Sequence, residues 1–217
     1  MFIVEKEPKS IAAESYRTLR TNLQYSSFDE EYKVIVVTSA EPGEGKSITV
    51  GNLALSIAQS DKKVIIIDCD LRKPSIHKKF GLSNSEGLSD VLMGNKNIAE
   101  VGQRYSSNLT VLTSGKIPPN PSEMLGSKAM KALIEALKKV FDYVILDTPP
   151  VQAVTDAQIL STRADGTLLV VRSERTKRDS VVNSINLLKK VNANIIGTVL
   201  NGVDTKKNNY YYYYGEK

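Results

Sequence analysis

The stretch Ser39-Ala40-Glu41-Pro42-Gly43-Glu44-Gly45-Lys46-Ser47, entered from the apolar run Val34-Ile35-Val36-Val37, decides the fold. It reads as a strand, a tight glycine loop and then a helix over Ile48–Gln59. Glycines let successive N–H groups turn toward one point, and a helix N-terminus adds partial positive charge there. Lys46 stands where a lysine reaches β- and γ-phosphates, and Ser47 where a hydroxyl ligates Mg²⁺. Gly43, Glu44, Gly45, Lys46, Ser47 and Ile48 are therefore the candidate nucleotide-binding residues. The general pattern G-x-x-x-x-G-K-[ST] opens on glycine, whereas Ala40 stands first here.

Outward from this loop, strand-like and helix-like stretches alternate. Before it, Pro8–Ser27 reads as a polar helix capped by Ser10, with Ile11, Ser15, Leu19 and Leu23 at helical spacing. After it come a strand at Val64–Ile67, a region of loop and short helix over 75–108, and a strand at Leu109–Thr113. The clearest helical piece of 75–108 is Leu88–Leu92. One helix is expected over Ser122–Lys139, with Leu133, Leu137 and Val140 facing the core. Then follow a strand at Tyr143–Leu146, a helix at Thr155–Arg163, a strand at Gly166–Val171, a helix at Lys177–Val191 and a strand at Ile195–Leu200. Such alternation predicts one α/β domain, a mostly parallel sheet with helices on both faces. Four-residue apolar strands without polar alternation fit strands buried on both faces.

Three apolar strands end in chemistry: the loop to Ser47, then Asp68 and Asp70, then Asp147. In a parallel sheet those ends share the edge where open α/β sheets bind ligands. Asp147, after four apolar residues, holds the position that supports the metal in phosphate-loop proteins, directly or through water. Ser47, Asp147 and one of Asp68 and Asp70 are the candidate Mg²⁺ ligands, hard oxygen donors for a hard cation, with the other aspartate beside the nucleophile. Lys46, Asp68, Asp70 and Asp147 are the candidate catalytic residues.

The chain has 217 residues, 41% of them hydrophobic, which suits a single domain with a full core. No apolar run approaches the ~20 residues of a membrane span. The single cysteine, Cys69, excludes an internal disulfide and reads as a buried structural thiol. The one histidine, His77, has no second histidine to build a metal site and is expected at the surface. The net charge of +5 comes from lysines interspersed with acids, a solvated basic surface. Half of the ten tyrosines lie in one run, Tyr210–Tyr214, where adjacent rings pointing every way cannot all be buried.

Together these motifs resemble the bacterial tyrosine kinases of capsule and exopolysaccharide synthesis, over essentially the whole chain. That family has a Walker A motif opening on Ala or Gly, matched by Ala40–Ser47. Its Walker A′ motif, hydrophobics then D-x-D-x-R, is matched by Ile65–Arg72, and its Walker B by Val144–Pro150. Its E-x-x-R-x-x-R helix, an oligomerisation element, is matched by Glu14, Arg17 and Arg20. Its C-terminal tyrosine cluster is matched by Tyr210, Tyr211, Tyr212, Tyr213 and Tyr214.

The resemblance implies a P-loop NTPase-like kinase domain over residues 1–203 and a flexible tyrosine tail over 204–217. It implies use of ATP and Mg²⁺ to phosphorylate that tail, on itself or on a neighbour in a ring-like homo-oligomer. Asp68 becomes the base, and Asp70 and Asp147 the metal shell, although the split between Asp68 and Asp70 stays open. It further implies a membrane-spanning activator whose cytoplasmic segment completes the site, a cognate phosphotyrosine phosphatase and protein substrates. A cytoplasmic protein recruited to the inner face of the membrane follows, with no nucleic-acid partner.

Two alternatives stand beside this reading. A positioning or partitioning ATPase of the ParA/MinD type carries an extra lysine early in the loop, where this chain has Glu41 and Pro42. A nucleotide-gated, non-enzymatic scaffold would use the tyrosines to stack on bases, but only Lys206 and Lys207 stand nearby to supply charge.

Overall fold

The computed structural model describes residues 2–25 and 32–204. Among them, seven strands form one sheet in the order β3-β4-β2-β5-β1-β6-β7. The strands are β1 (Val34–Ser39), β2 (Val64–Asp68), β3 (Gln103–Arg104), β4 (Leu109–Leu112), β5 (Tyr143–Asp147), β6 (Gly166–Arg172) and β7 (Ile195–Asn201). All neighbours pair in parallel except β3, a two-residue edge strand antiparallel to β4. β3 is too short to show any periodicity, and the sequence reading left it within a loop.

The apolar runs are buried on both faces because the sheet is sandwiched. Ile35, Val37 and Ile66 pack in one core beneath α1 (Ile3–Lys6), α2 (Ile11–Tyr25), α3 (Lys46–Ala58) and α4 (Ile76–Phe80). Their sequence neighbours Val34, Val36, Ile65 and Ile67 point the opposite way. These meet α5 (Leu88–Leu92), α6 (Ile98–Val101), α7 (Pro121–Leu125), α8 (Lys128–Leu137) and α9 (Asp156–Ser161). The last helix, α10 (Arg178–Lys190), packs Leu188 with Val151 and Ala157 in a smaller cluster.

Several elements differ from the sequence expectation. The helix expected over 122–139 is two helices, broken at Gly126-Ser127. Ser127 caps α8, its Oγ accepting the Met130 N–H at 3.1 Å, a local bond that competes with continuing the first helix. Arg163 secures the break by donating to the carbonyls of Leu125 and Ser127 at 3.0 and 2.9 Å, and to that of Gly126. Because α8 ends at Leu137, Val140 falls beyond it and is 61% exposed.

At the N-terminus, α1 was not anticipated. It is held by tertiary contacts: Phe2 stacks near Phe80 with ring centroids 4.4 Å apart, and Val4 N–H donates to Asn52 Oδ1 at 3.1 Å. A Cβ on Gly51 of α3 would stand 2.0 Å from the Phe2 ring, so the glycine makes room for it. Cys69 is buried and free as expected, whereas His77 is half-buried on α4. No helix among the described residues is long and apolar enough to cross a membrane.

Candidate active site

The strand order sets β2, β5 and β1 side by side, so their C-terminal ends form one edge. Asp68 pairs with Asp147 across β2 and β5, and Val37 with Asp147 across β5 and β1. Neighbouring strands lie about 4.8 Å apart, which brings two carboxylates and the root of the phosphate loop together. An open cleft of about 600 Å³ lies over this edge, lined by Gly43, Gly45, Lys46, Ser47, Ile48 and Asp70 among others. Lys46, Arg72, Lys73, Lys79 and Arg172 also line it, a cationic wall suited to a polyphosphate.

The loop itself is set by backbone conformation and by two glutamates. Gly43 and Gly45 have φ of 82° and 93°, left-handed values that favour glycine. Lys46 and Ser47 form the first turn of α3, two residues earlier than the sequence suggested. The Glu44 side chain points away from the cleft. Buried at 1% exposure, it accepts the Glu41 N–H at 3.0 Å and the Thr176 hydroxyl. Glu41 in turn accepts the Ser180 hydroxyl at 2.7 Å. What Glu44 can offer a phosphate is therefore its backbone N–H.

Three carboxylates occupy different environments. Asp68 is fully buried; its Oδ2 accepts the N–H groups of Ser75 and Ile76 at 3.1 and 3.0 Å, and its Oδ1 that of Asp70 at 3.2 Å. Burial, with the charge of Asp147 next in weight, pushes its pKa up to about 8 despite those amides. Asp70 faces the cleft and accepts the Lys73 N–H at 2.9 Å. Asp147 is 1% exposed, and neither carboxylate oxygen has a hydrogen-bond partner. Its burial pushes the pKa up to about 6, against the pull of Lys46 and the nearby Ser47 hydroxyl.

A buried carboxylate with no partner is costly unless something binds it. Among the described residues no three His, Cys, Asp or Glu side chains group to enclose a metal alone. The donor set of one hydroxyl and carboxylates fits Mg²⁺, which keeps waters and takes substrate phosphates as its other ligands.

Arg72 is steered by a partner that the sequence reading missed. Its Nε donates to Asp156 Oδ2 at 3.0 Å, and a terminal nitrogen donates to Ser122 Oγ at 2.9 Å. Ser122 Oγ also donates to Asp156, at 2.6 Å. Lys79, Arg172, Arg175, Thr176 and Asn201 also went unnoticed. Arg175 stands against Gly43, 3.4 Å from where a Cβ would be. Only Asn201-Gly202, a polar pair ending an apolar strand, carried a sequence signal of the kind that singled out Asp147.

The candidate oligomerisation residues lie on α2. Glu14 and Arg17 pair with each other at 2.8 Å on the exposed face. Arg20 turns inward and donates to the Ser56 carbonyl of α3 at 2.8 Å. Tyr210–Tyr214 lie outside the described residues.

A family model described as ParA: NUBPL iron-transfer P-loop NTPase matches residues 31–211. The chain is 45% identical to the tyrosine-protein kinase YwqD of Bacillus subtilis (strain 168), over 99% of this chain and 91% of that one. It belongs to the bacterial P-loop tyrosine kinases. Another family member, the tyrosine-protein kinase etk of Escherichia coli (strain K12), is 38% identical over 93% of this chain but only 28% of its own length. The solved kinase domain of Escherichia coli tyrosine kinase ETK superposes with a TM-score of 0.90 at 38% identity, covering 94% of this chain and 80% of that one. The positioning-ATPase alternative thus keeps a kinship of fold, while the relatives of high identity are protein-tyrosine kinases of the capsule and exopolysaccharide type.

Proposed function

We propose that this tyrosine kinase uses ATP with Mg²⁺ to phosphorylate the hydroxyls of its own Tyr210–Tyr214 tail. The observation that carries the assignment of the site is the buried carboxylate of Asp147, without a hydrogen-bond partner and close to Lys46 and Ser47. The loop amides and Lys46 bind the β- and γ-phosphates. Ser47, Asp70 and Asp147 hold the metal, which when bound draws off charge developing on the phosphates.

In the transfer, the tyrosine oxygen bonds to the γ-phosphorus as the bond to the β–γ bridging oxygen breaks and ADP leaves. A tyrosine hydroxyl has a pKa of about 10, so a carboxylate that readily accepts its proton assists the step. Asp68 is that base once it has lost its own proton, which burial and the charge of Asp147 hold on up to about pH 8 and which a cation bound at Asp147 would help release. This asks the segment from Cys69 to Ser75 to shift when substrate binds, since Asp68 is enclosed in the present arrangement. Each phosphotyrosine adds about −1.5 to −2 charges, so a few of them outweigh the net +5 of the chain.

The same reading places Glu14, Arg17 and Arg20 at contacts between copies in a ring. A membrane-spanning activator completes the nucleotide site and brings the kinase to the inner face of the membrane. A cognate phosphatase resets the tail. Mass spectrometry of the C-terminal peptide after incubation with ATP and Mg²⁺, with and without an activator segment, tests the core of the proposal. Phosphate on Tyr210–Tyr214 that is absent from Lys46→Met is the expected result. An unmodified tail in both conditions, with ATP still hydrolysed, refutes it.

A further inference from the structure

The end of β7 grips the phosphate loop. Asn201 Nδ2 donates to the Glu44 carbonyl at 2.8 Å. A Cβ on Gly45 would stand 1.9 Å from that nitrogen, so Gly45 is required by this contact as well as by its φ of 93°. Asn201 is itself fixed in place. It pairs with Arg172 across β6 and β7, and its carbonyl accepts the Ser173 N–H at 2.8 Å.

The peptide that Asn201 holds is the one joining Glu44 to Gly45. A trans peptide is planar, with its C=O and N–H pointing in opposite directions. Anchoring the carbonyl therefore aims the Gly45 N–H. Gly45 lines the cationic cleft. A peptide next to glycine otherwise has wide freedom, because no Cβ restricts its dihedrals. The Glu44 carboxylate, held by Glu41 N–H and the Thr176 hydroxyl, fixes the side chain of the same residue but leaves its following peptide free to rotate.

We propose that Asn201 is a positioning residue for nucleotide binding: it holds the Glu44 carbonyl so that the Gly45 N–H points at the phosphates. This rests on the reading that the cleft takes a nucleoside triphosphate. The rival role for Asn201 is direct contact with the nucleotide base. Tripolyphosphate separates the two, because it carries the phosphates and lacks the base.

The test is calorimetric binding of ATP and of inorganic tripolyphosphate, each with Mg²⁺, to the full chain and to Asn201→Ala. Losing one neutral hydrogen bond predicts an affinity about five- to tenfold lower for both ligands. The isosteric Asn201→Asp, which sets an oxygen against the Glu44 carbonyl, loses at least as much and serves if the alanine variant does not fold. Phosphate binding that is equal in ground and transition states predicts a KM for ATP raised by that factor, with kcat within about twofold. A purely structural role would instead lower the melting temperature and the active fraction. Tripolyphosphate affinity unchanged in Asn201→Ala overturns the proposal, and weaker ATP binding beside it assigns Asn201 to the base. Failure of the unaltered chain to bind either ligand, both with and without the activator segment, overturns the nucleotide reading itself, a result distinct from either.

Discussion

Replacing Asp147 with asparagine is expected to stabilise the ligand-free protein while removing its response to Mg²⁺ and nucleotide. The ordinary carboxyl pKa of 3.8 is raised to about 6 at Asp147, chiefly by burial. At pH values above both, folding holds an ionised group where it is disfavoured, at a cost of ~3 kcal/mol. The sign follows from the direction of the shift. Below 3.8 the group is protonated in both states and the penalty vanishes, and stability is lost as pH rises through about 6.

Relaxation and water entering the cleft reduce the cost, and half of it, ~1.5 kcal/mol, is the gain expected for the variant at neutral pH. For a chain of this size that corresponds to a melting temperature roughly 3–6 °C higher. At about pH 4, where the carboxyl is protonated, the gain should shrink toward zero. Mg²⁺ with ADP should raise the melting temperature of the unaltered protein by mass action and leave the variant nearly unmoved. Thermal melts of both proteins at two pH values, with and without ligand, measure all of this. A variant less stable than the parent at neutral pH without ligand would refute the reasoning, because the carboxylate would then have a stabilising partner.

Two further outcomes can be checked directly. Arg72→Ala leaves the fully buried Asp156 with Ser122 as its remaining side-chain partner; a loss of ~1–3 kcal/mol in urea denaturation is expected, and no loss would show that the pair contributes nothing. Glu14→Ala with Arg17→Ala and Arg20→Ala should give a monomer by light scattering. Removal of Arg20 alone should also loosen α2 from α3, because it frees the Ser56 carbonyl.

How much of this was legible in the sequence depends on the range of the forces involved. The apolar runs of β1, β2 and β5 announced themselves because strands buried on both faces have no room for polar residues. Ser10, expected to cap α2, accepts the Ala13 N–H at 3.2 Å, a bond within one turn. The break between α7 and α8 was readable in Gly126-Ser127 but was outweighed by the helical spacing of Leu133 and Leu137. α1 and β3 were illegible, since each is held by partners far away in the chain: Phe80 and Asn52 for α1, and β4 for β3.

The active site divides in the same way. The sequence by itself determined the phosphate loop, the three aspartates at strand ends and the mostly parallel α/β architecture, because backbone conformation and burial impose those residue types locally. Only the tertiary structure decided what each group does at that edge. Strand order set Asp68 beside Asp147. The amides of Ser75 and Ile76 enclosed Asp68 while Asp147 was left without a partner. Asn201, 157 residues from Glu44 in the chain, reached the loop. Such contacts depend on which elements the sheet brings together, and no spacing within a single element encodes them.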